Sequence, residues 1–431
     1  MAHRTLKSSA YQGLVERLNR FPQGAPPSRT LYEILKILVS EKEAELIAQL
    51  PVQPFRVADA ARRWTLSEVE TQKILDELAG RAILVDVEEK EGTVYVLPPP
   101  MAGFFEFSLM RLRGDVDQKV LAELFYQYLN VEEDFIKSLF IDGQTQLGRV
   151  FVNESAVDDG AVEQALHVLD YERASEVISS ASHIGVGLCY CRHKMEHLGK
   201  NCSAPLDVCM TFNSSAESLT RSGYARAIDV VECLELLDQA YEHNLVQFGE
   251  NVQKRVNFIC NCCGCCCEAM IAARQYGILQ PVHTSNFLPV VDLASCTGCG
   301  HCVRVCPVAA IGLVSANDPR QPRRHVAKVH PDICLGCGVC VRVCGPRSLS
   351  LVPREKRVFT PVDSVHRIVV MAIERGKLQH LIFDNQVLFS HRALAALLGA
   401  VLKLSPIKRA LASEQMKSRY LVKLLQWHDR R

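Results

Sequence analysis

The sequence predicts a multi-domain α+β protein that is mainly helical, and three observations support this fold class. The chain has 431 residues, enough for about two to four domains with separate hydrophobic cores. Apolar residues recur at helical spacing through much of both ends of the chain, which predicts amphipathic helices there. Short β-type segments border the cysteine-rich centre, and all but one of the 19 cysteines fall into four groups.

The composition is that of a globular protein, with 48% hydrophobic and 23% charged residues. The first residues lack the apolar run of a signal peptide, and no apolar stretch reaches the roughly 18 residues of a membrane-spanning helix. The best candidate, at 393–404, is too short and contains a lysine. We therefore expect a cytoplasmic protein without a membrane span, in which thiols stay reduced and clustered cysteines indicate metal binding.

The net charge of +1 is distributed unevenly along the chain. From Pro353 to Arg431 there are 15 basic and 6 acidic residues, whereas the rest of the chain has 34 basic and 42 acidic residues. A basic tail on an acidic body predicts that the tail contacts the body, an acidic partner or the surface of an anionic membrane. The alternative is that the tail forms solvated surface helices.

Two cysteine motifs give the strongest signal. CTGCGHCVRVCP (296–307) and CLGCGVCVRVCGP (334–346) both have the spacing C-x2-C-x2-C-x3-C. This segment, about 286–353, resembles the bacterial two-cluster ferredoxin domain, which implies two [4Fe–4S] clusters. In that domain three cysteines of one motif and the fourth cysteine of the other hold each cluster. The resemblance assigns one cluster to Cys296, Cys299, Cys302 and Cys344, and the second to Cys334, Cys337, Cys340 and Cys306.

Glycines at 298, 300, 336 and 338 allow the backbone to wrap a cluster closely. Short β-type segments flank both motifs, at 287–293 and 309–314 and at 325–330 and 348–352, and predict two similar halves that share a small sheet. In the second motif the proline follows one residue later than in the first, which predicts a different turn. We do not expect zinc at these eight cysteines, because structural zinc sites usually combine two short C-x2-C motifs rather than two runs of four cysteines.

A second cysteine-rich region, at 184–285, precedes this segment. The four cysteines of its first group are enough to bind one [4Fe–4S] cluster or one tetrahedral zinc ion. The third alternative is that these thiols bind no metal. We favour iron–sulfur because a cluster domain follows directly. His193 and His197, four residues apart, are predicted to share a helix face as polar neighbours or surface residues rather than as ligands. The first group comprises Cys189, Cys191, Cys202 and Cys209.

The second group of this region is the run CNCCGCCC at 260–267. Six thiols on one strand cannot all reach one cubane, so some are expected to join the first group, in one or two further clusters. Cys262-Cys263-Gly264 is similar to the CCG signature of heterodisulfide-reductase-type subunits, which hold non-cubane clusters. A helical insert after residue 213 is expected to bring the two groups together. The run contributes Cys260, Cys262, Cys263, Cys265, Cys266 and Cys267.

Near the N-terminus, the pattern predicts helices at 31–50, 57–64 and 65–81, the last with a capping box, followed by a hairpin at 83–99. This order resembles a winged helix. The third helix carries four acidic residues against Lys73, however, and DNA contact requires cations that neutralise phosphates. We therefore expect no nucleic-acid partner and instead a docking or scaffold role.

These patterns divide the chain into a winged-helix-like domain (1–100), a helical linker (101–183), a cysteine-rich metal-binding domain (184–285), the ferredoxin domain (286–353) and a basic helical tail (354–431). Motifs for nucleotide binding, zinc proteases, serine hydrolases and c-type haem are absent from the sequence.

Without such motifs, we predict a cytoplasmic electron-transfer protein of an anaerobic organism that passes low-potential electrons to or from a partner oxidoreductase. Two alternatives stay open. The first is a catalytic iron–sulfur subunit that acts on a disulfide-type substrate at an unusual cluster. The second is a redox-sensing winged-helix regulator.

Overall fold

A computed structural model describes residues 9–140, 143–157, 170–276 and 283–382. The chain forms two compact units, one of residues 1–145, 217–225 and 364–431, the other of residues 146–216 and 226–363. Among the described residues, helix and strand are mixed and helix predominates, as the fold class predicts. The division into five domains stays a prediction, and the predicted helices at 391–404 and 407–427 lie outside the described residues.

The first unit is helical except for one hairpin. Its elements are α1 (Ser9–Leu18), α2 (Arg29–Leu38), α3 (Glu41–Ala48), α4 (Val57–Trp64), α5 (Glu68–Gly80), β1 (Val85–Glu89), β2 (Gly92–Val96), a one-turn helix (Phe105–Phe107), α6 (Gln118–Tyr126) and α7 (Asp134–Phe140). A non-helical turn at Pro100–Phe104, closed by a hydrogen bond from the Phe105 amide to the Pro100 carbonyl, precedes the one-turn helix, and a π-helical turn at Gln127–Val131 follows α6. The described part of this unit ends with α15 (Ser364–Glu374) and α16 (Leu378–Ile382).

The single helix predicted at 31–50 is wrong, because the structure has two helices there. Val39 is extended, and Ser40 begins α3 with a capping box in which the Ser40 hydroxyl accepts from the Glu43 amide. The Glu43 carboxylate in turn accepts from the Ser40 amide at 2.8 Å. Two backbone amides that have no partner within the helix are thus hydrogen-bonded at the start of α3, which stabilises the separation of α2 from α3.

The next elements follow the predicted order of helix, helix and hairpin. Ser67 and Glu70 form the capping box of α5, and Thr65 ends α4 in the left-handed conformation. Phe55 and Tyr95 exchange backbone hydrogen bonds of 3.0 and 2.8 Å, which adds one bridge to the hairpin. The winged-helix assignment itself stays a prediction.

The second unit contains a six-stranded antiparallel sheet of order β3-β7-β8-β5-β4-β6. Short 3-10 turns lie at Glu154–Ala156 and Asp170–Glu172. Its elements are β3 (Gly148–Val150), α8 (Ala174–Ser180), β4 (Ile184–Gly187), α9 (Tyr190–His197), β5 (Cys209–Phe212), α10 (Asn213–Arg221, which ends in the first unit), β6 (Arg226–Ala227), α11 (Val230–Glu242), β7 (Val246–Glu250), β8 (Phe258–Cys262) and α12 (Glu268–Tyr276).

Helices α8 and α11 cover one face of this sheet. Met210 and Phe212 of β5 and Ile259 of β8 point into a core that also contains Leu237 of α11. Cys233, which belongs to none of the four cysteine groups, is fully buried in the same core and acts there as a small apolar residue. Because side chains alternate along a strand, Cys209, Cys260 and Cys262 lie on the opposite face.

The strands of the segment 286–353 lie at the predicted positions, but they form two separate two-stranded sheets rather than one shared sheet. β9 (Phe287–Val291) pairs antiparallel with β12 (Leu349–Pro353), and β10 (Ile311–Ser315) pairs with β11 (His325–Val329). The outer strands therefore pair with each other and the inner strands do the same. Two short helices, α13 (His301–Val305) and α14 (Val339–Arg342), lie in the two motifs.

None of the helices in the described parts of the chain combines the length and the apolar character that crossing a membrane requires.

Candidate metal centres

Two small cavities lie in the segment 286–353. Each is lined by three cysteines of one motif and by the fourth cysteine of the other motif, which is the interleaved arrangement expected from the sequence. We name them cavity I and cavity II. Cavity I is lined by Cys296, Cys299, Cys302 and Cys344, and cavity II by Cys306, Cys334, Cys337 and Cys340.

The crossing of the fourth cysteine follows from the local structure of each motif. Helix α13, with Gly300 as its N-cap, carries the chain away from its own cysteine loop, so that Cys306 follows the helix and lines the other cavity. Three residues after the fourth cysteine of each motif, Ala309 and Arg347 both have φ values near +50° (55° and 51°). The helices end differently, since Cys306 is the C-cap of α13 whereas Val343, before Cys344, is the C-cap of α14.

In each motif, one glycine allows two backbone segments to approach closely. Gly298 and Gly336 both have a φ of +69°, which L side chains rarely adopt. A Cβ atom on Gly298 would overlap the carbonyl oxygen of His325, and one on Gly336 would overlap that of Phe287. The residues present therefore fit a compact inorganic cluster enclosed by backbone.

Hydrogen bonds to sulfur occur in both cavities. The amide of Ala310 donates to Cys306 Sγ at 3.1 Å, and the amide of Ala327 lies 3.4 Å from Cys296 Sγ. In cavity I, Ser348 Oγ also lies 3.3 Å from Cys344 Sγ. Such contacts to ligand sulfurs set the reduction potential of an iron–sulfur cluster.

The two cavities differ in exposure to solvent. Cys299 is the exposed member of the eight cysteines, and the backbone N–H of His301 lowers the pKa of its thiol. In cavity II, burial raises the pKa of Cys334 and raises that of Cys340 well above its usual range. Thiols of this kind bind metal only with release of their protons. Cavity I therefore has one exposed thiol, whereas the thiols of cavity II are buried or half-buried.

The run at 260–267 divides its cysteines between two groups. One group, here called the tetracysteine group, brings four sulfur atoms within 4.8 Å of one another. Cys202 Sγ lies 3.7 Å from Cys263 Sγ, a separation that matches four thiolates around one tetrahedral ion. To bind the four irons of one cubane, the sulfur atoms would have to move apart. The tetracysteine group comprises Cys202, Cys263, Cys265 and Cys266.

The remaining six thiols surround a second centre at one end of the six-stranded sheet. Strand β4 ends two residues before Cys189, β5 begins at Cys209, and β8 ends at Cys262. The β5–β8 register of Met210 with Ile259 places Cys209 beside Cys260. The sheet therefore assembles this centre, and helix α11 of the insert packs on its other face.

Contacts between the six thiols run in a ring. Cys189 interacts with Cys191 and Cys209. Cys191 also interacts with Cys267, whose Sγ lies 3.2 Å from Cys262 Sγ. Cys209 interacts with Cys260, and Cys260 acts electrostatically on Cys262, two residues along the same strand face, which closes the ring. We call this set the hexacysteine ring; it comprises Cys189, Cys191, Cys209, Cys260, Cys262 and Cys267.

A buried arginine lies between the two groups. Arg192 is 0% exposed and donates to the carbonyl oxygens of Pro205 and Asn261. Burial by itself lowers the pKa of this arginine, but the neighbouring sulfurs of Cys189, Cys209 and Cys263 raise the pKa above its usual value. A hydrogen bond from Cys266, together with the charge of Arg192, in turn lowers the pKa of Cys263 to about 4. Arg192 thus favours thiolates, the form of cysteine that binds metal.

Two further features of helix α9 border the hexacysteine ring. Lys194 and Glu268 form a fully buried ion pair that joins α9 to the start of α12, directly after Cys267. The rings of His193 and His197 lie 4.7 Å apart on one face of α9, as their spacing predicts, and His193 is buried rather than on the surface.

The cysteine run also contacts the segment 286–353. A Cβ atom on Gly264 would lie 2.5 Å from the carbonyl oxygen of Pro307 and 2.9 Å from its Cα. Pro307 follows Cys306 of cavity II. The Cα atoms of Cys306 and Cys263 are therefore at most about 12 Å apart, since each chain step spans about 3.8 Å and Gly264 touches Pro307. The tetracysteine group thus adjoins cavity II.

The structure thus brings all 18 grouped cysteines into four centres, with Cys233 outside them. Sequence reasoning did not predict the roles of Arg192, Glu268, Ser348 and Pro307. The sequence offered one signal for two of them, namely charged residues next to cysteines: Arg192 lies within CYCRHK, and Glu268 directly follows CCC. Ser348 gave none, because serine is common in loops.

Comparison with known proteins identifies part of the chain. Residues 295–346 match the model of the 4Fe-4S dicluster domain family, which indicates that this segment binds 4Fe–4S clusters. No curated protein and no solved structure matches the chain. Residues 295–346 are therefore identified as a 4Fe–4S dicluster domain.

Proposed function

We propose that this chain is an iron–sulfur electron-transfer protein that exchanges low-potential electrons with a partner oxidoreductase. The observation that carries the proposal is the pair of cavities with interleaved cysteines in the dicluster segment. A [4Fe–4S] cluster, when bound, supplies reversible one-electron redox chemistry. The chain itself supplies the thiolates, the close backbone and the hydrogen bonds to sulfur.

We propose the lining cysteines of the two cavities as the ligands. Cys296, Cys299, Cys302 and Cys344 would hold the first cluster, and Cys306, Cys334, Cys337 and Cys340 the second. The tetracysteine group would hold a third, because its four thiols converge and because Gly264 brings it next to cavity II.

The order of the centres supports transfer of electrons through the unit. Cavity I carries the exposed Cys299, the thiols of cavity II are buried or half-buried, and the tetracysteine group adjoins cavity II through Gly264 and Pro307. The hexacysteine ring follows, since Cys262 and Cys267 belong to the ring and are direct neighbours of Cys263 and Cys266 in the chain. One end of the series is thus at the surface.

The exposed end favours a partner with an acidic surface. Leu313, which lines cavity I, is 42% exposed, and the exposed side chains of Arg304, Arg320 and Arg323 belong to the same dicluster segment. Complementary charge steers two proteins into contact and aligns them. We therefore propose that the partner oxidoreductase meets this end of the unit.

The test is spectroscopic. The full-length protein, purified under argon, is expected to be brown, to contain at least about eight irons per chain from the dicluster segment alone, and to show EPR signals after reduction with dithionite. Reduced methyl viologen is expected to bleach its visible absorption. The matched control is the double variant C296A/C334A, which should lose about eight irons. Colourless material without an EPR signal would refute the proposal.

The catalytic alternative makes a different prediction. If the protein acts on a disulfide at the cysteine-rich centre, the isolated chain should reduce a small disulfide with turnover, using reduced methyl viologen as donor. An electron-transfer protein is expected to exchange electrons with viologen but to show no disulfide-dependent turnover. Turnover above that of C296A/C334A would favour the catalytic role.

A further inference from the structure

The hexacysteine ring has more thiols than one cubane uses. A [4Fe–4S] cluster takes four cysteines, a number that both cavities and the tetracysteine group match. The ring has six, and all six belong to one set of sulfur–sulfur contacts rather than to a set of four with two distant neighbours.

The positions of the six thiols are set by rigid elements. Cys209 and Cys260 lie side by side on adjacent strands, and Cys262 is two residues further on the same face of β8. Cys191 lies in the first turn of α9, and Cys267 directly precedes α12. Residues on strands and helices hold ligands in place more firmly than loop residues do. Two strands and two helices thus hold the thiols on several sides of one centre.

Arginine supplies little of the charge that metal-bound thiolates require. Arg192 is a buried cation that faces Cys189 and Cys209, and the charge of Lys194 is paired with Glu268. Without metal most of the buried thiols keep their protons, because a buried thiolate without compensating charge is costly. Once all six thiols lose their protons to bind metal, one arginine does not balance them, whereas iron ions do.

We propose that the hexacysteine ring binds a single iron–sulfide cluster larger than one cubane, with all six thiols as ligands, each of which loses its proton on binding. The inference rests on the proposed function, since it requires a chain that is loaded with iron. It goes beyond that function because it assigns a distinct cluster class to a centre separate from the dicluster segment and from the tetracysteine group.

The test is a set of six single Cys→Ala variants in the full-length protein, loaded with iron and sulfide under argon. Iron and acid-labile sulfide per chain and the ⁵⁷Fe Mössbauer spectrum are measured for each. All six variants are expected to lose the same spectral component. Each is also expected to lose more iron than Cys299→Ala, which removes one cubane of about four irons.

Three controls separate the possible outcomes. Cys233→Ala, outside all four centres, should keep the wild-type iron content, and Cys202→Ala should lose a different spectral component. Retention of the dicluster EPR signals in a ring variant shows that the chain has folded and that the proposed function is intact. Wild-type protein without those signals would refute the proposed function rather than this inference alone.

Three results would overturn the inference. The first is a pair of ring variants with wild-type iron and spectrum, which would indicate a cubane with two bystander thiols. The second is an iron loss no larger than that of Cys299→Ala. The third is zinc in place of iron. If the ring variants do not fold, the iron content of the wild-type protein tests the inference, because four cubanes give about 16 irons per chain and a larger cluster gives more.

Discussion

Gly264, in the middle of the cysteine run, lies directly against the backbone of Pro307, the residue that follows Cys306. The approach is closer than a Cβ atom allows, and Pro307 contributes backbone rather than a movable side chain. This contact joins the tetracysteine group to cavity II, so its geometry fixes the separation of two centres.

Substitution of Gly264 by alanine is therefore expected to force these two segments apart. Overpacking of this kind costs about 1–3 kcal/mol, and the free energy of unfolding, measured in urea under argon, should fall by that amount. The matched variant is Gly312→Ala, where no heavy atom lies within 4 Å of the new Cβ. Equal stability of the two variants would contradict the contact.

The interleaved arrangement of the cysteines predicts which Cys→Ala variants lose the same EPR signal. Cys344→Ala is expected to abolish the same EPR signal as Cys299→Ala, although the two cysteines are in different motifs, because both line cavity I. Cys306→Ala should match Cys337→Ala for the same reason. If Cys344→Ala instead removes the signal that Cys337→Ala removes, each motif binds its own cluster.

The hydroxyl of Ser348 is expected to raise the reduction potential at cavity I. An iron-bound thiolate has no proton, so Ser348 is the donor to Cys344 Sγ, and this hydrogen bond favours the more negative, reduced state. Ser348→Ala should lower the potential by about 40 mV, the equivalent of a hydrogen bond of about 1 kcal/mol. A mediated redox titration measures this change, and Ser350→Ala, exposed two residues further along, should leave the potential unchanged.

The buried ion pair of Lys194 and Glu268 predicts an asymmetric response to mutation. Glu268→Leu leaves a buried ammonium without its partner and should lower the free energy of unfolding by about 3–5 kcal/mol. The double variant K194M/E268L removes both charges and should be close to the wild type in stability. Urea unfolding measures both. A double variant as unstable as the single one would show that the pair does more than neutralise charge.

A pH-dependent contribution is expected from Tyr95 in the first unit. Its hydroxyl donates to Asp76 and accepts from Gln72, both at 2.6 Å. Burial and then Asp76 raise the pKa of Tyr95 above its usual value of 10.0. The folded state therefore favours the neutral phenol, and this stabilisation is present below pH 10 and is lost as the pH rises further.

Tyr95→Phe tests this contribution. At pH 8 the variant should be less stable than the wild type by about 1 kcal/mol, because the hydrogen bonds are lost. Above pH 10 the difference should shrink, since the wild-type phenol must then remain protonated at a cost that phenylalanine does not have. A difference that is constant from pH 8 to pH 11 would contradict the assignment.

The sequence predicted the local features of the site but not its long-range arrangement. The two motifs were sufficient to identify the dicluster segment, because ligand spacing along one loop is a local property. The strand positions within that segment were also predicted. Their pairing was not, because β9 and β12 are about 60 residues apart in the chain, and nothing local selects the partner of a short strand.

The cysteine-rich centre was predicted least well. The run at 260–267 was expected to serve more than one site, since adjacent residues point apart. Which thiols join which centre depends on the six-stranded sheet, whose strands are short and were not recognised as a sheet. The break at Ser40 was missed for a different reason: apolar spacing continues through it, and only the capping box reveals it.

The pairing of β9 with β12 means that the chain enters and leaves the dicluster segment at neighbouring positions, with Phe287 opposite Pro353. A segment whose two ends meet can be spliced into a host loop without displacing the host's own elements. The dicluster segment therefore has the form of an inserted module, and excision with a short turn joining its ends would leave the remaining sheet of that unit continuous.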